Sequence, residues 1–237
     1  MIGRTVEVAI ETIGANGDGV GHVDGMPVYV DQGLPGDALT VRLCAGRGQG
    51  YAAETVEART LMPRRMPICG HFGMCGGCRL QHLSTPDYRR WKEQRIEAAL
   101  ASRGIDKVEI KPLIDGSPAS RRRLRLAFRS KGKGIVLGFR KRLGQEVVAI
   151  EECPIACEEI VNIFKPLQHH LGSLDMAARG GEVTITSADN GLDLLIETPI
   201  SPNLADREAL AGLANTEDLA RLSWRENPRA PIEPISV

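Results

Sequence analysis

The chain has 237 residues, 42% hydrophobic and 4% aromatic, with 30 basic and 30 acidic side chains. This suffices for one or two domains with aliphatic cores. No apolar run reaches the roughly 20 residues of a membrane helix, and Met1-Ile2-Gly3-Arg4-Thr5-Val6-Glu7 leads straight into a strand pattern without a signal-peptide core, so a cytosolic protein is expected.

Residues 1–60 read as five short strands joined by Gly/Pro turns. Val6, Val8 and Ile10 alternate with polar residues within Thr5–Ile13. Turns follow at Asn16-Gly17-Asp18-Gly19 and Leu34-Pro35-Gly36-Asp37, with strands at Met26–Val30, Leu39–Leu43 and Tyr51–Val56. That pattern predicts an OB-like β-barrel, a fold that binds nucleic acid in many proteins and is purely structural in others. A linker with two prolines covers 61–68. A helix starts at Thr85-Pro86-Asp87, with Thr85 as N-cap and Pro86 at N1, and ends at Gly104.

Farther on, Leu124–Phe128 and Ile135–Phe139 form a hairpin, and Glu146–Ile150 adds a third strand. Residues 154–171 read as a helix with a break near Pro166. Glu182–Thr186 and Leu192–Glu197 flank a hairpin turn. A helix over Leu204–Leu213 and a strand over Leu219–Trp224 complete the regular pattern, and the tail from Pro228 has no closing feature. The expected fold class is mainly β with α+β: an OB-like barrel over 1–60, then an α+β domain over 61–237.

The charge is segregated. Residues 1–60 hold 4 Lys/Arg against 8 Asp/Glu, residues 61–150 hold 20 against 7, and residues 151–237 hold 6 against 15. A segment of net +13 therefore lies between segments of −4 and −9, and polyanions are its natural partner. Its densest part is Ser120-Arg121-Arg122-Arg123-Leu124-Arg125-Leu126-Ala127-Phe128-Arg129-Ser130-Lys131-Gly132-Lys133. The period of two sets Leu124, Leu126 and Phe128 on one face and guanidinium groups on the other. Arg140-Lys141-Arg142 follows the partner strand. Arginine's planar fork suits phosphate, so Arg121, Arg122, Arg123, Arg125, Arg129, Lys131, Lys133, Arg140, Lys141 and Arg142 are the candidate RNA-binding residues. The alternative is a solvated sheet face.

Cys69-Gly70-His71-Phe72-Gly73-Met74-Cys75-Gly76-Gly77-Cys78 is a C-x5-C-x2-C array. Thiolates are soft ligands that suit iron–sulfur clusters or zinc. Glycines permit a tight wrap and bring N–H groups to sulfur. Cys153, followed by Pro154, is the candidate fourth ligand, with Cys157 the runner-up. Cys44 reads as a small buried hydrophobe. His71 and His82 read as surface or supporting residues. The spacing favours a [4Fe–4S] cluster, with zinc as the alternative.

Cys69-x5-Cys75-Gly76-Gly77-Cys78, then Leu80-Gln81-His82-Leu83 and Tyr88, resembles the cluster motif of bacterial uracil-C5 RNA methyltransferases. Those enzymes act on 23S ribosomal RNA, and close relatives act on transfer RNA. Arg121–Arg125, Leu137-Gly138-Phe139-Arg140 and Cys153-Pro154 follow in the family's order. Residues 1–60, with Gly14 to Gly21 and Pro35-Gly36-Asp37, look like its N-terminal TRAM domain.

The resemblance covers nearly the whole chain. It implies a [4Fe–4S] cluster on Cys69, Cys75, Cys78 and Cys153, with barrel and central domain binding RNA. It also implies a Rossmann-like domain that binds S-adenosylmethionine, a cysteine that attacks uracil C6, methyl transfer to C5 and a carboxylate base. This sequence shows no strand–Gly-rich loop–helix unit for the methyl donor and no cysteine in the family's catalytic motif. The expectation is therefore that the chain is truncated, with the Rossmann-like methyltransferase domain and the S-adenosylmethionine site absent and no catalytic residue. It would be a monomer that binds RNA, 23S or transfer, without methylating it. A stand-alone metal-stapled RNA-binding module and an iron–sulfur electron carrier are the competing readings.

Overall fold

The computed structural model describes residues 1–105, 107–132, 134–142 and 144–236. The chain divides into two compact units: Met1–Gly73 with Cys78–Asp115, and Met74–Gly77 with Gly116–Val237.

In the first unit, β1 (Thr5–Ala9), β2 (Thr12–Ile13), β3 (Gly19–Val23), β4 (Met26–Val30), β5 (Ala38–Arg47) and β6 (Gly50–Thr60) form one sheet in the order β1-β5-β6-β4-β3-β2. The single strand expected over Thr5–Ile13 is split. The chain bends after β1, which pairs with β5, so that β2 can pair with β3, and one strand thereby joins both edges of the sheet. The bend is tight: a Cβ on Gly21 would lie 2.0 Å from the Ala9 carbonyl, so only glycine fits there. Val8, Ile10, Val28, Val30, Leu39, Val41, Leu43 and Ala53 fill the interior. Their alternation along the strands is the period-two signal of the sequence.

Asp37 closes the turn before β5 and is fully buried. Its carboxylate accepts from the backbone N–H of Leu34 at 2.7 Å and of Met62 at 2.8 Å, and from Arg64 Nη2 at 2.6 Å. Burial pushes this carboxyl up, but the Arg64 guanidinium and the two N–H donors outweigh it and hold the pKa below the ordinary value.

The helix α1 runs Thr85–Ala101. Its N-cap is Ser84, not Thr85: the Ser84 hydroxyl accepts from the Asp87 N–H, which moves Pro86 one place inward. Gly104, at φ +73°, closes the other end, with its N–H on Ala101 O and that of Ile105 on Leu100 O. Trp91 and Tyr88 pack on Leu34, Leu80 and Leu83.

In the second unit, β7 (Arg123–Lys131), β8 (Gly134–Arg140), β9 (Val147–Ala149), β10 (Gly181–Ala188), β11 (Gly191–Glu197), β12 (Arg221–Arg225) and β13 (Glu233–Ser236) form a sheet in the order β13-β12-β11-β10-β7-β8-β9. The tail expected to lack a closing feature supplies β13, which pairs antiparallel with β12 around a register shift; Pro234 obscured the pattern. The helix read over 154–171 is two, α2 (Glu158–Asn162) and α3 (Phe164–Leu171), and Pro166 sits in the tolerant first turn of α3. The helix α4 (Leu204–Thr216) crosses between β11 and β12, which are parallel.

One sheet face is apolar by register. Leu126, Val183, Ile196 and Trp224 form one cross-strand row, and Leu124, Ile185, Leu194 and Leu222 the next. Phe164, Leu167, Leu171, Leu210 and Leu213 from the helices join the same core cluster. Asp206, nearly fully buried, staples α4: it completes a capping box with Asn203 and accepts from the N–H groups of Asp175 and Met176. Among the described residues no helix is long and apolar enough to cross a membrane.

Candidate nucleic-acid interface and cysteine segment

The odd-numbered residues of β7 leave the core and meet polar residues from strands far away in sequence. Ala127 stands opposite Glu182, Glu182 opposite Glu197, and Glu197 opposite Arg225. Arg125 pairs with both Glu182 and Glu197, the latter at 3.0 Å. Arg140 donates to Glu182 through Nε at 3.1 Å and Nη2 at 2.8 Å. Arg225 donates to Glu197 through Nε at 3.0 Å. Three arginines and two glutamates thus make one ladder of net charge +1. Burial raises the Glu182 carboxyl, yet the Arg140 hydrogen bonds and the charges of Arg125 and Arg140 hold its pKa below the usual carboxylate value.

The expected RNA-binding residues therefore differ in state. Arg121 and Arg123 are exposed at the start of β7 and make no ion pair among the described residues. Arg122 pairs with Asp189 at 3.1 Å and donates to Ser187 O. Arg125 and Arg140 belong to the ladder. Arg129 is half-buried and donates to Phe128 O, and Lys131 is exposed near the hairpin loop. Lys141 pairs with Glu146 at 3.5 Å. Arg142 is half-buried, and its N–H donates to Met74 O. Lys133 lies outside the described residues. Sequence reading missed Glu182, Glu197 and Arg225. Only strand register brings them to Arg125 and Arg140, and one sequence does not reveal register.

The cysteines are divided between the units. Cys69 and Cys78, both half-buried, belong to the first unit, and the Cys69 N–H donates to Gln81 Oε1 at 3.2 Å. Cys75 and Cys153, both buried, belong to the second. Met74–Gly77 pairs with the chain beyond β8: Gly76 N–H donates to Arg140 O at 3.0 Å, and Cys75 bridges to Lys141. A Cβ on Gly76 would come within 2.8 Å of Arg140 O, so this approach requires glycine.

Gly77 N–H donates to Cys75 Sγ at 3.3 Å, the kind of contact that stabilises a thiolate ligand. The donor chemistry at Cys75 thus suits a cluster or zinc. Among the described residues, however, no three His, Cys, Asp or Glu side chains converge into a group that could hold a metal ion. Cys157 occupies the N-cap position of α2 without a side-chain capping hydrogen bond, and the backbone N–H of Glu159, helped by the Cys157 thiol, lowers the Glu159 carboxyl. Cys44 is not a buried hydrophobe: it is exposed on β5, where its thiol donates to Arg42 O. His82 is buried against the Phe72 ring, with centroids 5.4 Å apart, whereas His71 is half-buried.

Residues 1–49 match the TRAM domain. The chain is 36% identical over 221 residues to an uncharacterized RNA methyltransferase of Brucella suis, covering 93% of this chain and 52% of that one. It is 34% identical over 222 residues to a 23S rRNA (uracil(1939)-C(5))-methyltransferase of Photorhabdus laumondii, covering 91% and 50%. The chain thus spans about half the length of the curated relatives it matches. Among solved structures, the Pyrococcus abyssi tRNA (uracil-54, C5)-methyltransferase in complex with S-adenosyl-L-homocysteine superposes with a TM-score of 0.60 at 20% identity, over 96% of this chain and 53% of that one.

Two expectations are corrected by these findings. The fold, expected to be mainly β with α+β and without a methyltransferase domain, is along 96% of the chain the fold of a methyltransferase chain. The reading of a truncated chain that binds RNA without methylating it, and the stand-alone module beside it, give way to relatives that are RNA methyltransferases along 93% of this sequence. Over nearly its whole length the chain is thus similar to RNA methyltransferases that include 23S rRNA uracil-C5 enzymes, and its first 49 residues match the TRAM domain.

Proposed function

We propose that this protein serves S-adenosylmethionine-dependent methylation of RNA at uracil C5, with 23S ribosomal RNA the first substrate to test and transfer RNA the second. The alignment of nearly the whole chain with 23S rRNA uracil-C5 methyltransferases carries this reading. S-adenosylmethionine would supply the methyl group. The residues of this chain contribute RNA binding: the TRAM-matched barrel and the open face of the second sheet, with Arg121, Arg123 and Lys131 as free cations and Arg125 and Arg140 held in register by Glu182.

Cys69, Cys75, Cys78 and Cys153 are proposed as ligands of a [4Fe–4S] cluster with a structural role. The support is their spacing and the Gly77 N–H on Cys75 sulfur. Zinc on the same thiolates is the competing outcome. The protein is proposed to work as a cytosolic monomer.

The test is methyl transfer. Protein expressed from its whole reading frame is incubated with labelled S-adenosylmethionine and either 23S rRNA or transfer RNA, and nucleosides are resolved by mass spectrometry. 5-Methyluridine in the 23S sample supports the reading. In the transfer RNA sample alone it changes the substrate, and in neither it overturns the function.

A further inference from the structure

We propose that a groove in the first unit, distinct from the basic sheet, takes an unpaired nucleotide of the RNA, with the base against Trp91 and the phosphate on Arg90 and Arg95. The inference rests on the RNA-binding reading above. The groove has a volume of about 820 Å³, within the range of small-molecule sites. Ile13, Leu34, Pro35 and Met62 contribute apolar lining, and one face of α1 lines the groove with them.

That face repeats at helical spacing: Asp87, Trp91, Gln94 and Arg95, and Ala98 all line the groove. The helix α1 buries none of its residues fully, so the face stays open. Trp91 is anchored, because its Nε1 donates to Ile13 O at 3.2 Å and its ring packs on Leu34, Leu80 and Leu83. A half-buried indole held at one edge is a rigid stacking surface, the usual means by which proteins take unpaired bases. Gln94 offers an amide donor and acceptor for a base edge.

Charge favours an anion in spite of two acidic side chains in the lining. Glu11 is engaged by His22 at 3.0 Å, and Asp87 by the Ser84 hydroxyl at 2.5 Å. Arg90 and Arg95 are exposed and make no ion pair among the described residues. Lys92 Nζ adds a third cation 6.0 Å from the Trp91 ring centroid. An apolar slot beside uncommitted guanidinium groups matches a base with its phosphate.

The chain has two tryptophans, and the other, Trp224, lies in the core of the second unit. In a Trp224→Phe variant, fluorescence reports Trp91 alone. Titration with a short oligouridylate should quench it saturably, and adding Arg90→Ala with Arg95→Ala should weaken that binding about tenfold. Photo-crosslinking of a 4-thiouridine oligomer to the unaltered protein, with peptide mapping, gives a second readout that needs no core substitution. Crosslinks at Trp91 or Met62 support the site. If ribosomal RNA binds while Trp91 is neither quenched nor crosslinked, the groove is overturned and the RNA reading stands. If no RNA binds, both fall.

Discussion

Arg140 donates to a single oxygen of Glu182 through both Nε and Nη2, at 3.1 and 2.8 Å. The two residues lie on strands separated by β7, where Ala127 faces Glu182 on one side and Gly138 on the other. Those two small residues leave room for long side chains to meet above the sheet. The most basic part of the chain thus holds an ordered charge ladder, and on the proposed reading RNA would compete with Glu182 for its guanidinium groups.

Replacing Glu182 with Gln should release Arg125 and Arg140. RNA affinity at low salt should rise, and the slope of log K against log salt should steepen by up to about one. Stability should drop by about 1 kcal/mol, reduced from a buried pair's value because Arg125 is half-exposed. The Glu182 pKa is lowered in the fold, so its contribution is present above the unfolded value of about 4.3 and disappears as pH falls through the folded one. Urea melts of both proteins at neutral and acidic pH check the stability, and filter binding checks the slope.

Asp37 should matter more, because it is fully buried. Asp37→Asn leaves Arg64 without its charge partner and should cost about 3 kcal/mol at neutral pH. The folded pKa is depressed, so the wild-type advantage should hold above about pH 4 and shrink as the carboxylate protonates below it. Thermal melts of wild type and variant from neutral to acidic pH should converge at the acid end; parallel curves would contradict the assignment.

Two glycine substitutions should separate close packing from mere composition. Gly21→Ala drives a methyl into the Ala9 carbonyl and should destabilise the barrel by about 3 kcal/mol or prevent its folding. Gly46→Ala meets nothing within 4 Å and should change stability by less than about 0.5 kcal/mol. Circular dichroism melts compare them directly.

Cys75→Ser tests the proposed cluster. Protein purified without oxygen should contain about four iron and four sulfide per chain, and the variant should lose most of both. About one zinc in place of iron would keep the ligands and change the metal. Identical metal content in wild type and variant would remove Cys75 from the ligand set.

Alternation exposed the strands directly. Val6, Val8 and Ile10, and Leu124, Leu126 and Phe128, lie on core faces as their period of two requires. Local signals failed where a second segment decides. Ser84 outcompeted Thr85 as N-cap because its hydroxyl reaches the Asp87 N–H. β13 was hidden because Pro234 weakens a strand pattern that pairing with β12 nevertheless supports. At the candidate site, the arginines of β7 were visible as a run. Their partners Glu182 and Glu197 were not, since each comes from another strand and meets Arg125 only through register. Cys44 looked apolar by residue type, yet its strand turns it outward.

The most direct test of the proposal that the second sheet faces RNA is the salt dependence of RNA binding in Arg123→Ala with Lys131→Ala. Both side chains are exposed on the odd-numbered face of β7 and lie outside the ladder. If RNA lies on this face, affinity should fall across sequences and the salt slope should flatten by about two. An unchanged slope, with RNA still bound, would place the RNA elsewhere on the protein.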